Sequence, residues 1–155
     1  MKIIMKHNKS VRRKRNLSRK NTGNHNRDIK GKQQIVRYML QMLMTVKLYH
    51  WNTISYASHK ATDDLYTGLN TLIDQFVEIL LGKNNKGKNR ILDTKSLLLK
   101  SFKDNKSFEK EIEEYKKYMM NLSEKFNQKE NSDLLNIRDE ILSELNKISY
   151  LLTLK

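Results

Sequence analysis

From Gln33 onward, apolar residues recur at intervals of three and four in successive blocks, and the chain contains no proline to interrupt them. That spacing belongs to helices with one buried face, and no stretch alternates as a half-buried strand would. The first block, about 32–53, carries Ile35, Met39, Met42, Val46 and Tyr49 on one stripe. Leu40, Met44, Leu48 and Trp51 form a second stripe nearly opposite, which predicts a helix buried on two faces, the second against another subunit. The next block, about 57–82, aligns Leu65, Leu69, Leu72, Phe76 and Leu80 and stops at Gly82, a C-cap candidate. The third, about 107–127, opens at Ser107 as N-cap and aligns Phe108, Ile112, Tyr115, Met119, Leu122 and Phe126. The fourth starts near Ser132 with Leu134, Ile137, Ile141, Leu145, Ile148 and Leu152.

Between the second and third blocks, "KNNKGKNR" breaks the pattern, and the short apolar run Ile91–Phe102 predicts a small helix. Two helices, a long crossover with a short helix, then two more helices is a ferritin-like order, because an up-down bundle needs only a short middle loop. The expected fold class is therefore all-α, a ferritin-like four-helix bundle over residues 32–155, preceded by a disordered basic arm over 1–31.

The arm is where composition matters. Of a formal net charge of +14 on 155 residues, residues 1–32 hold twelve Lys/Arg against one acid, Asp28. "HNKSVRRKRNLSRKNTGNHNRDIKGK" is too polar to offset its own ordering entropy, so in isolation it should not fold. Cysteine is absent, which removes disulfides, thiolate zinc sites and cysteine nucleophiles. No apolar run approaches the ~20 residues of a membrane span. The basic N-terminus has neither an apolar core nor a cleavage pattern, so no secretory signal is expected.

Chemistry concentrates in "YHWNTISYASHKATDDLYTGLNTLIDQFVE", residues 49–78. Taking His59 as zero on a helical wheel, Asp63 falls at about 40°, Asp74 at about 60° and Glu78 at about 100°. The core stripe of the same helix centres near 250° at the same pitch. These four side chains therefore face away from their own core and cannot meet inside one bundle. A metal held by them would sit against another chain, and imidazole with carboxylate suits Fe(II), Mn(II) or Zn(II). The competing reading is a wet polar face, since Thr67, Asn70 and Thr71 share it. His7 and His25 lie in the arm, outside any such constellation. Glu130 and Asp133 suit the positive end of the last helix.

His50-Trp51-Asn52 followed by His59, Asp63, Asp74 and Glu78 resembles the signature of the Dps mini-ferritins, with the family's intervals after the second histidine. "SDLLNIRDEILSELNKISYLL" resembles the family's last helix, with Tyr150 at its usual tryptophan. The resemblance covers about residues 33–153; it departs from the family in a shorter interval between His50 and His59. It implies a dodecameric hollow shell with iron sites across two-fold interfaces. His50, His59 and Asp63 would come from one subunit, and Asp74 and Glu78 from its partner. Trp51 would lie beside a di-iron site as a packing or radical-quenching ring. Glu130 and Asp133 resemble acids that line the family's three-fold pores.

Lys9, Arg12, Arg13, Lys14, Arg15, Arg19 and Lys20 supply cations without aromatics for base stacking, so the arm should bind phosphates without reading sequence. Many copies on one shell would add avidity. The same run also satisfies a loose nuclear-targeting pattern. The expected function is a Dps-like, DNA-binding mini-ferritin that oxidises Fe(II) with peroxide or dioxygen, stores the iron and protects DNA. Such a protein would be cytoplasmic and nucleoid-associated. A second reading keeps the fold with an inactive metal site, as a DNA-condensing protein of a nucleoid, virion or nucleus. A third is a basic helical bundle that binds RNA without forming a shell.

Overall fold

The chain's computed structural model describes the backbone of residues 5–84 and 88–154 and the side chains of 26–84 and 90–154. Every regular element among them is helical: α1 Met5–Asn52, α2 Tyr56–Gly82, α3 Lys88–Ile91, α4 Asn105–Asn121 with a 3-10 turn at Leu122–Glu124, and α5 Gln128–Leu151. No helix among the described residues is long and apolar enough to cross a membrane.

The four long helices close into a ring. α1 packs on α2, α2 on α5 and α5 on α4. Between α4 and α1, Tyr49 stacks on Phe108 with centroids 3.9 Å apart, and Tyr38 on Tyr118 at 3.7 Å. Ile35, Met39, Met42, Val46 and Tyr49 of α1 are buried, as are Leu65, Leu69, Phe76 and Leu80 of α2. On α2, Ile73 is buried where the stripe read from sequence placed Leu72, which packs half-buried against the same core. All six expected positions of α4 and its extension are inside, from Phe108 to Phe126, and all six of α5, from Leu134 to Leu152. The second stripe of α1 is graded: Leu40 and Met44 are partly buried against the core, whereas Trp51 is 67% exposed.

The crossover differs from expectation. Gln33 donates from its side-chain amide to the Asp93 carbonyl, and Asn52 donates to that of Phe102. Between Gln33 and Asn52, α1 rises about 28 Å at 1.5 Å per residue. The nine steps from Asp93 to Phe102 reach about 30 Å only when nearly straight. A helix over Ile91–Phe102 would cover little more than half of that distance. The helix is accordingly confined to Lys88–Ile91 beside the lower part of α1, and residues 94–102 have no regular structure. Leu98 and Leu99 stay exposed along that climb. The crossover delivers the chain to the far end, where Tyr49 and Ser58 both bond the Asn105 side chain, so α4 runs parallel to α2.

Local chemistry sets the helix ends. Ser55 caps α2 by accepting from the Ser58 N–H at 3.2 Å. The cap of α4 is Asp104 and not Ser107: its carboxylate accepts the Ser107 N–H at 2.8 Å and the Ser107 hydroxyl at 2.9 Å. Those bonds, led by the N–H, hold Asp104 below the usual carboxylate range. Gly82 ends α2 without a left-handed turn, and Lys83 closes the helix in a right-handed conformation. α5 starts at Gln128, with Asn131 out of helical geometry (φ −132°, ψ 30°), so the start read at Ser132 falls on this kink.

The backbone of the N-terminal segment joins the first helix. α1 is 48 residues long, so the backbone is helical from Met5, where a disordered arm was expected. No proline interrupts it, lysine and arginine are good helix formers, and growth from an already packed helix needs no new nucleus. The packed body also starts earlier than residue 32. Ile29 is buried, Lys32 pairs with Asp28 at 2.6 Å, and Asn26 accepts from Arg90 at 3.1 Å.

Candidate metal centre

A three-residue turn, Thr53 to Ser55, joins α1 to α2 and sets the geometry at this end. The Thr53 N–H bonds the Tyr49 carbonyl, and the His59 N–H bonds that of Ser55, so helix hydrogen bonding runs almost to the turn from both sides. With α2 beginning at Tyr56, His59 already sits in its first turn. His50 occupies the last turn of α1. The short interval between the two histidines therefore does not separate them.

Their rings stack with centroids 3.9 Å apart and 23° between planes. Nδ1 of His50 lies 3.0 Å from the His59 carbonyl, and Nδ1 of His59 lies 2.9 Å from the His50 carbonyl. A carbonyl can only accept, so each Nδ1 must carry the proton and donate. In the neutral rings Nε2 is then a bare lone pair, the form in which histidine ligates a metal while its other nitrogen is anchored.

Asp63 lies one turn beyond His59. Its Oδ1 is 3.7 Å from His50 Nε2, too long for a hydrogen bond. Two ligand atoms each about 2.1 Å from one ion, at a tetrahedral to trigonal angle, stand about 3.4–3.6 Å apart. The gap thus fits a shared cation with only slight adjustment. His50 is buried, Asp63 is half-exposed and His59 is exposed, so the group opens outward from the bundle.

Asp74 and Glu78 do not join it. Both are exposed on α2, and Asp74 lies eleven residues past Asp63, about 16 Å along the helix. Among the described residues, no three His, Asp or Glu side chains in one chain form a group that could hold a metal ion. Of the five candidates, His50, His59 and Asp63 lie at the α1–α2 turn, whereas Asp74 and Glu78 lie farther down α2.

Two neighbours complete the surroundings. Trp51, next to His50 in the chain, is exposed. Lys47, which the sequence pattern did not single out, stands one turn earlier on α1 with Nζ 3.8 Å from Asp63 Oδ1. The same ammonium lies 4.5 Å from the Tyr66 ring centroid and 5.5 Å from that of Trp51. The only sequence signal for it is the three-residue interval to His50 on one helix.

Residues 50–152 match a family of unknown function, DUF5856. The chain belongs to that family. The matched segment begins at His50 and takes in all five candidate ligands, α2, α4 and α5. No curated protein matches the chain. No solved structure matches it either. In this DUF5856 member the basic residues Lys9, Arg12, Arg13, Lys14, Arg15, Arg19 and Lys20 precede the match, on the N-terminal part of α1; their side chains lie outside the described residues.

Proposed function

We propose that this DUF5856 member is a Dps-like mini-ferritin that assembles into a shell, oxidises Fe(II) at sites shared between subunits and coats DNA through its basic N-terminal segment. The observation that carries the reading is the reciprocal His50–His59 pairing, which presents Nε2 beside Asp63 on an outward face. A half-site on the outside of a bundle needs a second chain to complete it. Asp74 and Glu78 of the partner subunit would supply the remaining carboxylates, in a dodecameric shell or a smaller assembly. The crossover joining two parallel helices supports a ferritin-like topology. Fe(II) is the substrate: each ion gives up one electron, and peroxide takes two with two protons to become water. Carboxylates suit the product, because hard oxygen ligands favour the higher charge of Fe(III).

The test uses the partition between chains. Subunits carrying His50→Ala with His59→Ala, mixed and reassembled with subunits carrying Asp74→Asn with Glu78→Gln, should regain part of the peroxide-dependent Fe(II) oxidation that each lacks alone. No recovery from a mixed assembly of verified mass would overturn the shared site. A second reading, a DNA-condensing protein with an inactive metal site, is favoured by Lys47. Its ammonium already stands where an incoming cation would approach Asp63. Wild-type protein that assembles, binds DNA and oxidises Fe(II) no faster than buffer would establish it.

A further inference from the structure

Eight of the seventeen acids are matched by a cation. Asp63 has Lys47, Asp133 has Lys83, Glu111 has Lys100, Glu113 has Lys116, Glu114 has Lys117 and Asp139 has Arg138. One flank differs. Among the described residues, Arg27, Lys30, Arg37 and Lys125 take part in no ion pair, and the nearby Asp28 is held by Lys32. Arg27, Lys30 and Lys125 are exposed. Arg37 and Lys125 line one surface cavity of about 260 Å³ together with Gln34, Tyr38, Gln41 and Tyr118. Lys125 Nζ stands 5.4 Å from the Tyr118 ring, which stacks on Tyr38. Burial pushes both tyrosine hydroxyls up to about 12, so the pair adds no negative charge.

The register of α1 extends this flank beyond the bundle. Because α1 is one helix from Met5 to Asn52, positions 12, 19, 30 and 37 share a face, within about 20° at 100° per residue. All four are Arg or Lys. Positions 13, 20 and 27 are also basic and lie on the adjoining strip. From Arg12 to Arg37 the helix rises about 37 Å, close to the ~34–36 Å of one duplex turn.

We propose that Lys30, Arg37 and Lys125 are nucleic-acid-binding residues of the folded body, continuing the basic face of α1 into a straight track that holds about one turn of duplex DNA. This rests on the reading that the N-terminal segment binds DNA, and it adds the body as a second, aligned point of attachment. A flexible tail would place charge anywhere within its reach. A continuous helix instead keeps its backbone positions in fixed register with the bundle, so its own continuity becomes part of the binding energy.

The experiment measures binding of the full chain to a labelled random-sequence duplex across a salt series. Counterion release lowers the slope of log affinity against log salt by about 0.9 for each phosphate that the protein ceases to neutralise. The triple variant Lys30→Gln, Arg37→Gln, Lys125→Gln should therefore flatten the slope by about 2 to 3. Lys30→Gln with Lys125→Gln, both at exposed positions, should flatten it by about 2 and guards against misfolding at Arg37. Thr22→Pro, which breaks α1 between Arg19 and Arg27 while keeping every charge, should weaken binding at fixed salt. Lys60→Gln, exposed on α2 and off the track, should leave the slope unchanged. A wild-type slope in both body variants, with Arg12→Gln and Arg19→Gln still lowering it, would overturn the track while the N-terminal segment remains the binding element. An equal loss from Lys60→Gln would also overturn it, because binding would then follow net charge alone. No duplex binding by the wild type would remove both readings.

Discussion

Replacing Lys47 by methionine tests how the half-site treats a cation. The substitution keeps an unbranched stem against Tyr66 and removes the ammonium that stands 3.8 Å from Asp63 Oδ1. At that separation two unit charges attract by about 1 kcal/mol in bulk water and about 4 kcal/mol at an effective dielectric constant near 20. Asp63 keeps 46% of its side-chain surface exposed, so solvent screening places the value at the lower end, about 1 kcal/mol or less. A metal ion must displace this interaction to take the carboxylate. Its loss should therefore tighten metal binding by up to about fivefold, since 1.4 kcal/mol is a factor of ten. Co(II) is a suitable probe, because its visible absorption reports coordination number while titration calorimetry gives the affinity. The reasoning is refuted if Lys47→Met binds Co(II) as weakly as the wild type or more weakly. Such a result would mean that Asp63 is not a ligand, or that Lys47 positions it.

The remaining expectations concern assembly, packing and pH. Charged replacements of Leu48 and Trp51, on the outer stripe of α1, should dissociate the assembly into smaller helical species; mass photometry of the wild type showing only monomer would sink the interface. Phe76→Ala, at a fully buried position facing Phe126 edge-on, should cost about 3–5 kcal/mol in urea unfolding, and a loss below about 1 kcal/mol would contradict the packing. Asp104 is held below its ordinary value of 3.8 by the Ser107 N–H and hydroxyl, so its stabilisation is complete above that pH and fades as pH falls further. Asp104→Asn should accordingly flatten the acid limb of Tm against pH below about 4, and an unchanged limb would show that the cap carboxylate is not engaged.

The bundle was legible in the sequence because each long helix buries a stripe repeated over several turns, and such repetition averages out local exceptions. The exchange of Leu72 for Ile73 changed one packing position without moving the helix. The crossover was not legible for the opposite reason. Ile91–Phe102 carries enough apolar residues to suggest a helix, but its conformation is set by how far it must travel along α1, a distance that no local pattern encodes. The cap of α4 was misplaced by three residues because Asp104 and Ser107 are both good capping residues, and only the backbone shows which of them accepts. At the candidate centre, helical spacing placed His59, Asp63, Asp74 and Glu78 off the core face, and none of the four is buried. The crossed Nδ1–carbonyl bonds could not be read, because they depend on how two helix ends meet across the turn. Lys47 was overlooked because one lysine on a lysine-rich helix carries no signal until Asp63 is placed beside it.

The climbing segment between Asp93 and Phe102 also bears on which length changes the chain tolerates. Its nine steps are close to their full contour length, with only a few ångströms of slack over the about 28 Å they span. Added residues would bow outward into solvent at little cost, since loop entropy grows slowly with length. A missing residue has nowhere to be recovered except by unwinding the first turn of α4 or lifting α3 off α1. Length variation here should therefore be one-sided, with insertions accepted and deletions refused. A single cut in the exposed Leu98–Leu99 stretch would sever the only covalent link between the α1–α2 and α4–α5 hairpins and leave their association to the shared core.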